Sequence, residues 1–84
     1  MPSPIRAVVV ETTDPGPLTR FWSQLTGLPV TREHPDYASL RQPAGFFVEF
    51  VRVGEPKTVP NRVHLALRDP PRSTDPEGNE IVAG

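Results

Sequence analysis

Two residues of this chain stand where their chemistry is out of keeping with their neighbours. His64 lies within Arg62-Val-His-Leu-Ala-Leu-Arg68, and Glu49 lies within Phe46-Phe-Val-Glu-Phe-Val-Arg-Val53. Both segments read as strands, whose alternation sets Val63, Leu65 and Leu67 on one face and His64, Ala66 and Arg68 on the other. In the same way Phe47, Glu49, Val51 and Val53 share a face opposite Phe46, Val48, Phe50 and Arg52. An imidazole so placed is either held by a hydrogen bond in a half-buried position or points into a concave site, where it binds a metal ion or moves a proton. A carboxylate between Phe47 and Val51 must be solvated, paired or bound, because an unpaired ion among apolar side chains is costly. The other histidine, His34, precedes Pro35 and reads as a solvated loop or strand end.

The elements that must position these groups follow from pattern. Ile5-Arg-Ala-Val-Val-Val-Glu-Thr12 is a β-branched first strand, with Arg6, Val8 and Val10 alternating against Ala7, Val9 and Glu11. Asp14-Pro15 opens a helix: the Asp side chain suits the cap, and a proline at the first helical position loses no hydrogen bond. Leu18, Phe21, Trp22 and Leu25 recur at i, i+3, i+4 and i+7, a single apolar stripe that packs on a sheet, and Gly27 ends the helix. Short strands over Leu28 to Glu33 and Tyr37 to Arg41 follow, with Gln42-Pro-Ala-Gly45 as a turn. After the Phe46–Val53 strand comes the loop Gly54–Pro60, then the strand from Asn61 to Arg68. Asp69–Thr74 is proline-rich and holds no helix. Asp75-Pro-Glu-Gly-Asn79 is a turn with glycine placed for positive φ, and Glu80–Ala83 is a short last strand.

Composition narrows the class. Eighty-four residues make a single small domain, in the range where help from a partner chain is expected. With no cysteine there is neither a disulfide staple nor a thiolate zinc site. Nine basic and ten acidic residues give a formal net charge of -1 without long runs of one sign, which argues against nucleic acid and anionic membrane as partners. No apolar run has spanning length and the first residues lack a signal-peptide core, so a cytoplasmic location is expected. The twelve prolines fall between the apolar blocks as punctuation.

In this order, Asp14-Pro15, Phe21-Trp22, Gly27-Leu28, Arg62-Val-His64-Leu-Ala-Leu67 and Asp75-Pro-Glu-Gly-Asn79-Glu80 resemble the glyoxalase-like branch of the vicinal oxygen chelate superfamily. That superfamily includes glyoxalase I, bleomycin resistance proteins and extradiol dioxygenases. The resemblance implies an α+β fold, with one βαβββ module and a shortened second module of two strands that lacks its helix. It implies a curved mixed sheet with the one helix on its outer face. Residues 1–84 then form one glyoxalase-like domain, with a complete first module over 4–53 and the remains of the second over 61–84. By the same comparison Ala7, Val9, Glu49, Val51 and His64 look into the pocket, while Leu18, Phe21, Trp22 and Leu25 pack behind the sheet.

Metal-dependent members of the superfamily use four ligands. Carried over by position, two of them fall on Glu49 and His64, and the other two fall on Ala7 and near Val82, which cannot ligate. Two ligands are a half-site, short of the three or more protein ligands a zinc site needs. The resemblance therefore implies a small-molecule binder of the bleomycin-resistance type, taking an apolar or planar ligand against Val9, Phe47, Val51 and His64 and requiring no cofactor. One alternative is a metal-dependent lyase, isomerase or dioxygenase whose divalent ion is held by Glu49 and His64, completed across a homodimer, with Glu11 or Glu80 as base. A second alternative is a non-catalytic truncated fragment. The missing helix leaves the strands of the second half uncovered on one face, and a homodimer is expected to cover them.

Overall fold

A computed structural model describes residues 2–43, 45–59 and 63–83. The strand β1 (Ala7–Thr12) leads into helix α1 (Pro15–Thr26), and β2 (Val30–His34), β3 (Tyr37–Arg41) and β4 (Phe47–Arg52) complete a four-stranded sheet of order β1-β4-β3-β2. β1 runs parallel to β4, and the other neighbours are antiparallel. β5 (Leu65–Leu67) and β6 (Ile81–Ala83) form a separate parallel pair. The fold is thus α+β, one complete βαβββ module followed by a shortened second module without its helix. Among the described residues no helix is long and apolar enough to cross a membrane.

The register shows why alternation was a sound guide. Val9 lies opposite Glu49, and Glu49 lies opposite Ser39 on β3. Val10 is level with Phe50, and Phe50 with Ala38. The second set faces the helix: Leu18, Trp22, Leu40, Val48, Phe50 and Ile81 form the buried core, with Val10, Phe21, Leu25, Leu28, Leu65 and Leu67 packed around it. The helical stripe read from the sequence is the buried face of α1, and Gly27 closes it in the left-handed conformation at φ 75°, its N–H donating to the Ser23 carbonyl at 2.8 Å.

Four local readings change. Asp14 holds the N-cap position, but its side chain makes no capping bond; instead its own N–H donates to Thr12 Oγ1 at 3.0 Å. The strand expected over Asn61–Arg68 is only Leu65–Leu67, because its partner β6 offers three residues to pair with; Asn61 and Arg62 lie outside the described residues. Glu80 stays outside β6 and bridges Thr74. Arg6 precedes β1 rather than belonging to it, so alternation does not fix its side chain, which reaches Glu49 on the face opposite the helix.

Candidate functional site

The open face of the sheet carries Ala7, Val9 and Glu11 of β1 beside Phe47, Glu49 and Val51 of β4, with Arg41, Ser39 and Tyr37 of β3 next in register. The structure therefore brings Val9, Phe47, Glu49 and Val51 to one face. At its centre the Glu49 carboxylate accepts both arms of the Arg6 guanidinium, Nη1 at 2.7 Å and Nη2 at 3.3 Å. This forked geometry is the strong form of the pair. The hydrogen bond and the charge of Glu49 raise the Arg6 pKa above its ordinary value, so the guanidinium stays charged throughout the neutral range. Beside Glu49, the buried Ser39 hydroxyl meets Thr31 Oγ1 at 3.0 Å.

His64 has a different setting. It stands just before β5, exposed to solvent, between Val63 and Leu65. Glu49 takes a cation from Arg6 as its partner, and a guanidinium in that place opposes a bound metal ion. Ala7 and Val82, at or near which the resemblance places the other two ligands, bring no donor side chain. No group of three or more His, Asp or Glu side chains among the described residues is gathered to hold a metal. On the chemistry of its donors, this residue set does not fit a metal site within one chain.

A broad concavity runs along the outer edge of β1. Its volume is about 700 Å³, within the size range of small-molecule sites. Val9, Val10, Val59, Val63 and Leu65 give it apolar walls, and Glu11, Glu55, Lys57 and Glu80 bring charge to it. Val9 is 51% exposed there. Lys57 donates to the Val59 carbonyl and stands 3.8 Å from Glu80, which fixes one end of the loop after β4. Of the side chains marked out by sequence, Val9 lines this trough. Phe47 and Val51 lie one strand away on the same face of the sheet, and His64 sits between two lining residues without lining it.

The trough exists because the second half is clasped to the first. Asp75 is 4% exposed, and its carboxylate accepts from four donors: Trp22 Nε1 at 2.9 Å, the Glu77 and Asn79 amides at 2.9 and 3.0 Å, and Asn79 Nδ2 at 2.8 Å. A buried charge needs this degree of satisfaction. Glu77 in turn accepts from the Thr12 hydroxyl and from the Thr13 amide. Gly78 at φ 80° lets the chain return, and its N–H donates to the Asp75 carbonyl at 3.0 Å. Sequence reading took Asp75-Pro-Glu-Gly-Asn79 as a turn and missed the clasp. The signal was present in the chain's one tryptophan, whose indole N–H needs an acceptor when buried in an otherwise apolar stripe.

The comparisons with known proteins agree with this architecture. No curated protein sequence matches the chain. Solved structures that share the fold include a possible glyoxalase from Bacillus cereus, at TM-score 0.63 and 18% identity over 76% of this chain, and the oxidase ChaP-H2, at TM-score 0.72 and 15% identity over 96%. The chain spans 57% of the length of the first and 91% of the second. The sequence model of the glyoxalase-like domain matches residues 7–79. By that match, and with the βαβββ module and its clasped partial repeat in place, the chain belongs to the glyoxalase-like domain family.

Proposed function

We propose that the protein binds a small apolar or planar molecule in the trough along β1, with no resident metal ion. The observation that carries this reading is the trough itself: about 700 Å³ with one wall of valines and a leucine and charged groups beside it, the combination by which a site gains affinity from burial and orientation from a few polar contacts. A flat ligand extending past Val9 over the sheet reaches Phe47 and Val51, which lie beside Ala7 and Glu11 in the register. His64, at the margin, offers an imidazole as donor or acceptor. The activities in the names of the two structural neighbours are not needed for this reading. A metal-dependent lyase, isomerase or dioxygenase shared across a dimer would first have to free Glu49 from Arg6.

A thermal-shift screen against planar aromatic metabolites tests the proposal. A ligand that binds only the native state, present at a hundredfold its Kd, stabilises it by about 2.7 kcal/mol. For a domain of this size that raises Tm by about 10 °C or more. Val9→Asp, at a half-exposed position that the core does not use, is expected to abolish the shift while leaving the circular dichroism spectrum unchanged. A panel in which no compound's shift is lost in Val9→Asp overturns the reading.

A further inference from the structure

The helix-facing side of the sheet holds a second cavity, of about 350 Å³. Its walls are Leu40, Val48 and Phe50 of the sheet, Trp22 of α1, and Leu65 and Leu67 of β5. Trp22 also borders the trough, so its indole stands between the two spaces. The origin of the cavity is a mismatch in length. β5 is three residues long and turns only Leu65 and Leu67 towards the core, which leaves space between it and the sheet. Close-packed interiors leave few voids larger than a water molecule, an apolar void of roughly 150 Å³ already admits benzene, and small-molecule pockets begin near roughly 300 Å³.

The lining selects the chemistry. No charged side chain is among the described lining residues, so an ionic ligand would leave its charge unpaired. Phe46 adds a third aromatic ring to those of Trp22 and Phe50. Two polar side chains touch the cavity. The Thr26 hydroxyl is already engaged, donating to the Trp22 carbonyl at 2.6 Å and accepting from the Leu28 amide at 3.3 Å. Gln42 is held by its backbone, whose N–H donates to the Phe46 carbonyl at 2.8 Å, and its side-chain amide brings both a donor and an acceptor.

We propose that this cavity is a binding site for a neutral bicyclic aromatic molecule with one hydroxyl or carbonyl group, its rings against Trp22, Phe46 and Phe50 and its polar atom at the Gln42 amide. The site is separate from the trough, and neither proposal depends on the other.

The test titrates methyl-labelled protein with 2-naphthol and reads the residues that belong to one space alone. Saturable shifts of the Leu40, Val48 and Leu67 methyls, with Val9, Val59 and Val63 unmoved, are expected. Naphthalene-2-sulfonate, of similar shape but charged, is expected to bind at least tenfold more weakly. Leu28→Phe, which adds a ring to the cavity wall, is expected to weaken 2-naphthol at least tenfold; should that variant fail to fold, the wild-type titrations decide. Shifts confined to Val9, Val59 and Val63, shifts that never saturate, or equal binding of the sulfonate overturn the proposal.

Discussion

Each half of the chain joins two parallel strands, and the two halves hold them together by different means. In the first, β1 and β4 pair over six residues, with α1 and two further strands between them in sequence. Leu18 and Trp22 of that helix are buried against Leu40, Val48 and Phe50 of the sheet. In the second, β5 and β6 pair over three residues. Residues 68–80 connect them, about the dozen that a parallel crossover requires, and they form no helix. Ile81 is the one buried aliphatic side chain among the described residues of this half. Beyond the packing of Ile81, Leu65 and Leu67 on the core, what ties it down is polar: the Asp75 carboxylate on Trp22, the Glu77 carboxylate on Thr12 and Thr13, and Arg72 over the Phe21 ring at 5.3 Å. Deprived of a helix to bury, this half is fixed by hydrogen bonds to the half that has one.

The contrast breaks if the first half does not depend on its core. Phe50 is 0% exposed at the centre of the sheet, and Phe50→Ala is expected to cost about 3–5 kcal/mol. That is a large share of the roughly 4–13 kcal/mol expected at this length, so the variant should unfold at a much lower urea concentration than the wild type. A urea midpoint near that of the wild type would show the core to lie elsewhere. Asp75→Ala is the matching cut in the second half. It strands the buried Trp22 N–H together with the turn donors, at a cost of about 3 kcal/mol, and its effect should be local. Amide exchange is expected to quicken in Leu65–Leu67 and Ile81–Ala83 while β3 and β4 keep their protection, and the emission of the one tryptophan should move to the red. Uniform loss of protection would mean that the two halves unfold as one unit and that the contrast between them has no energetic content.

The same contrast explains what the sequence disclosed. The first half was legible because its determinants are local and periodic: Leu18, Phe21, Trp22 and Leu25 mark one helical face, Gly27 its end, and the alternation around Glu49 fixed which side chains share the open face. Its errors are short-range substitutions, such as Thr12 accepting the Asp14 amide where Asp14 was expected to cap, or Arg6 swinging to Glu49 because it lies just outside the strand. The second half was not legible to the same depth. A strand of three residues carries too little alternation to mark its ends, so Val63 and His64 read as strand and are not. The burial of Asp75 depends on a tryptophan 53 positions earlier in the chain, and no local pattern reports a contact of that range. Both cavities share this origin, since each is bounded by β5 on one side and by the first half on the other.

The smallest effect sharpens the comparison most. If the first half is held by apolar burial, a polar atom inside it that has no partner is a fault, and Thr19 is that fault. It is fully buried on α1, and its Oγ1 has no hydrogen-bond partner among the described residues, although a helical threonine can often reach the carbonyl four residues earlier. Thr19→Val keeps the shape, the β-branch and nearly the same helix propensity, and it removes only the unpaired hydroxyl. The expected result is a gain of about 1 kcal/mol, read as a rise in Tm of about 4–8 °C. Amide protection should rise in α1, β3 and β4. Near β5 and β6 it should stay unchanged, because their attachment runs through Asp75 and not through this face of the helix. A loss of stability on this substitution would mean that the hydroxyl is satisfied after all, and that the first half, like the second, relies on a buried polar contact.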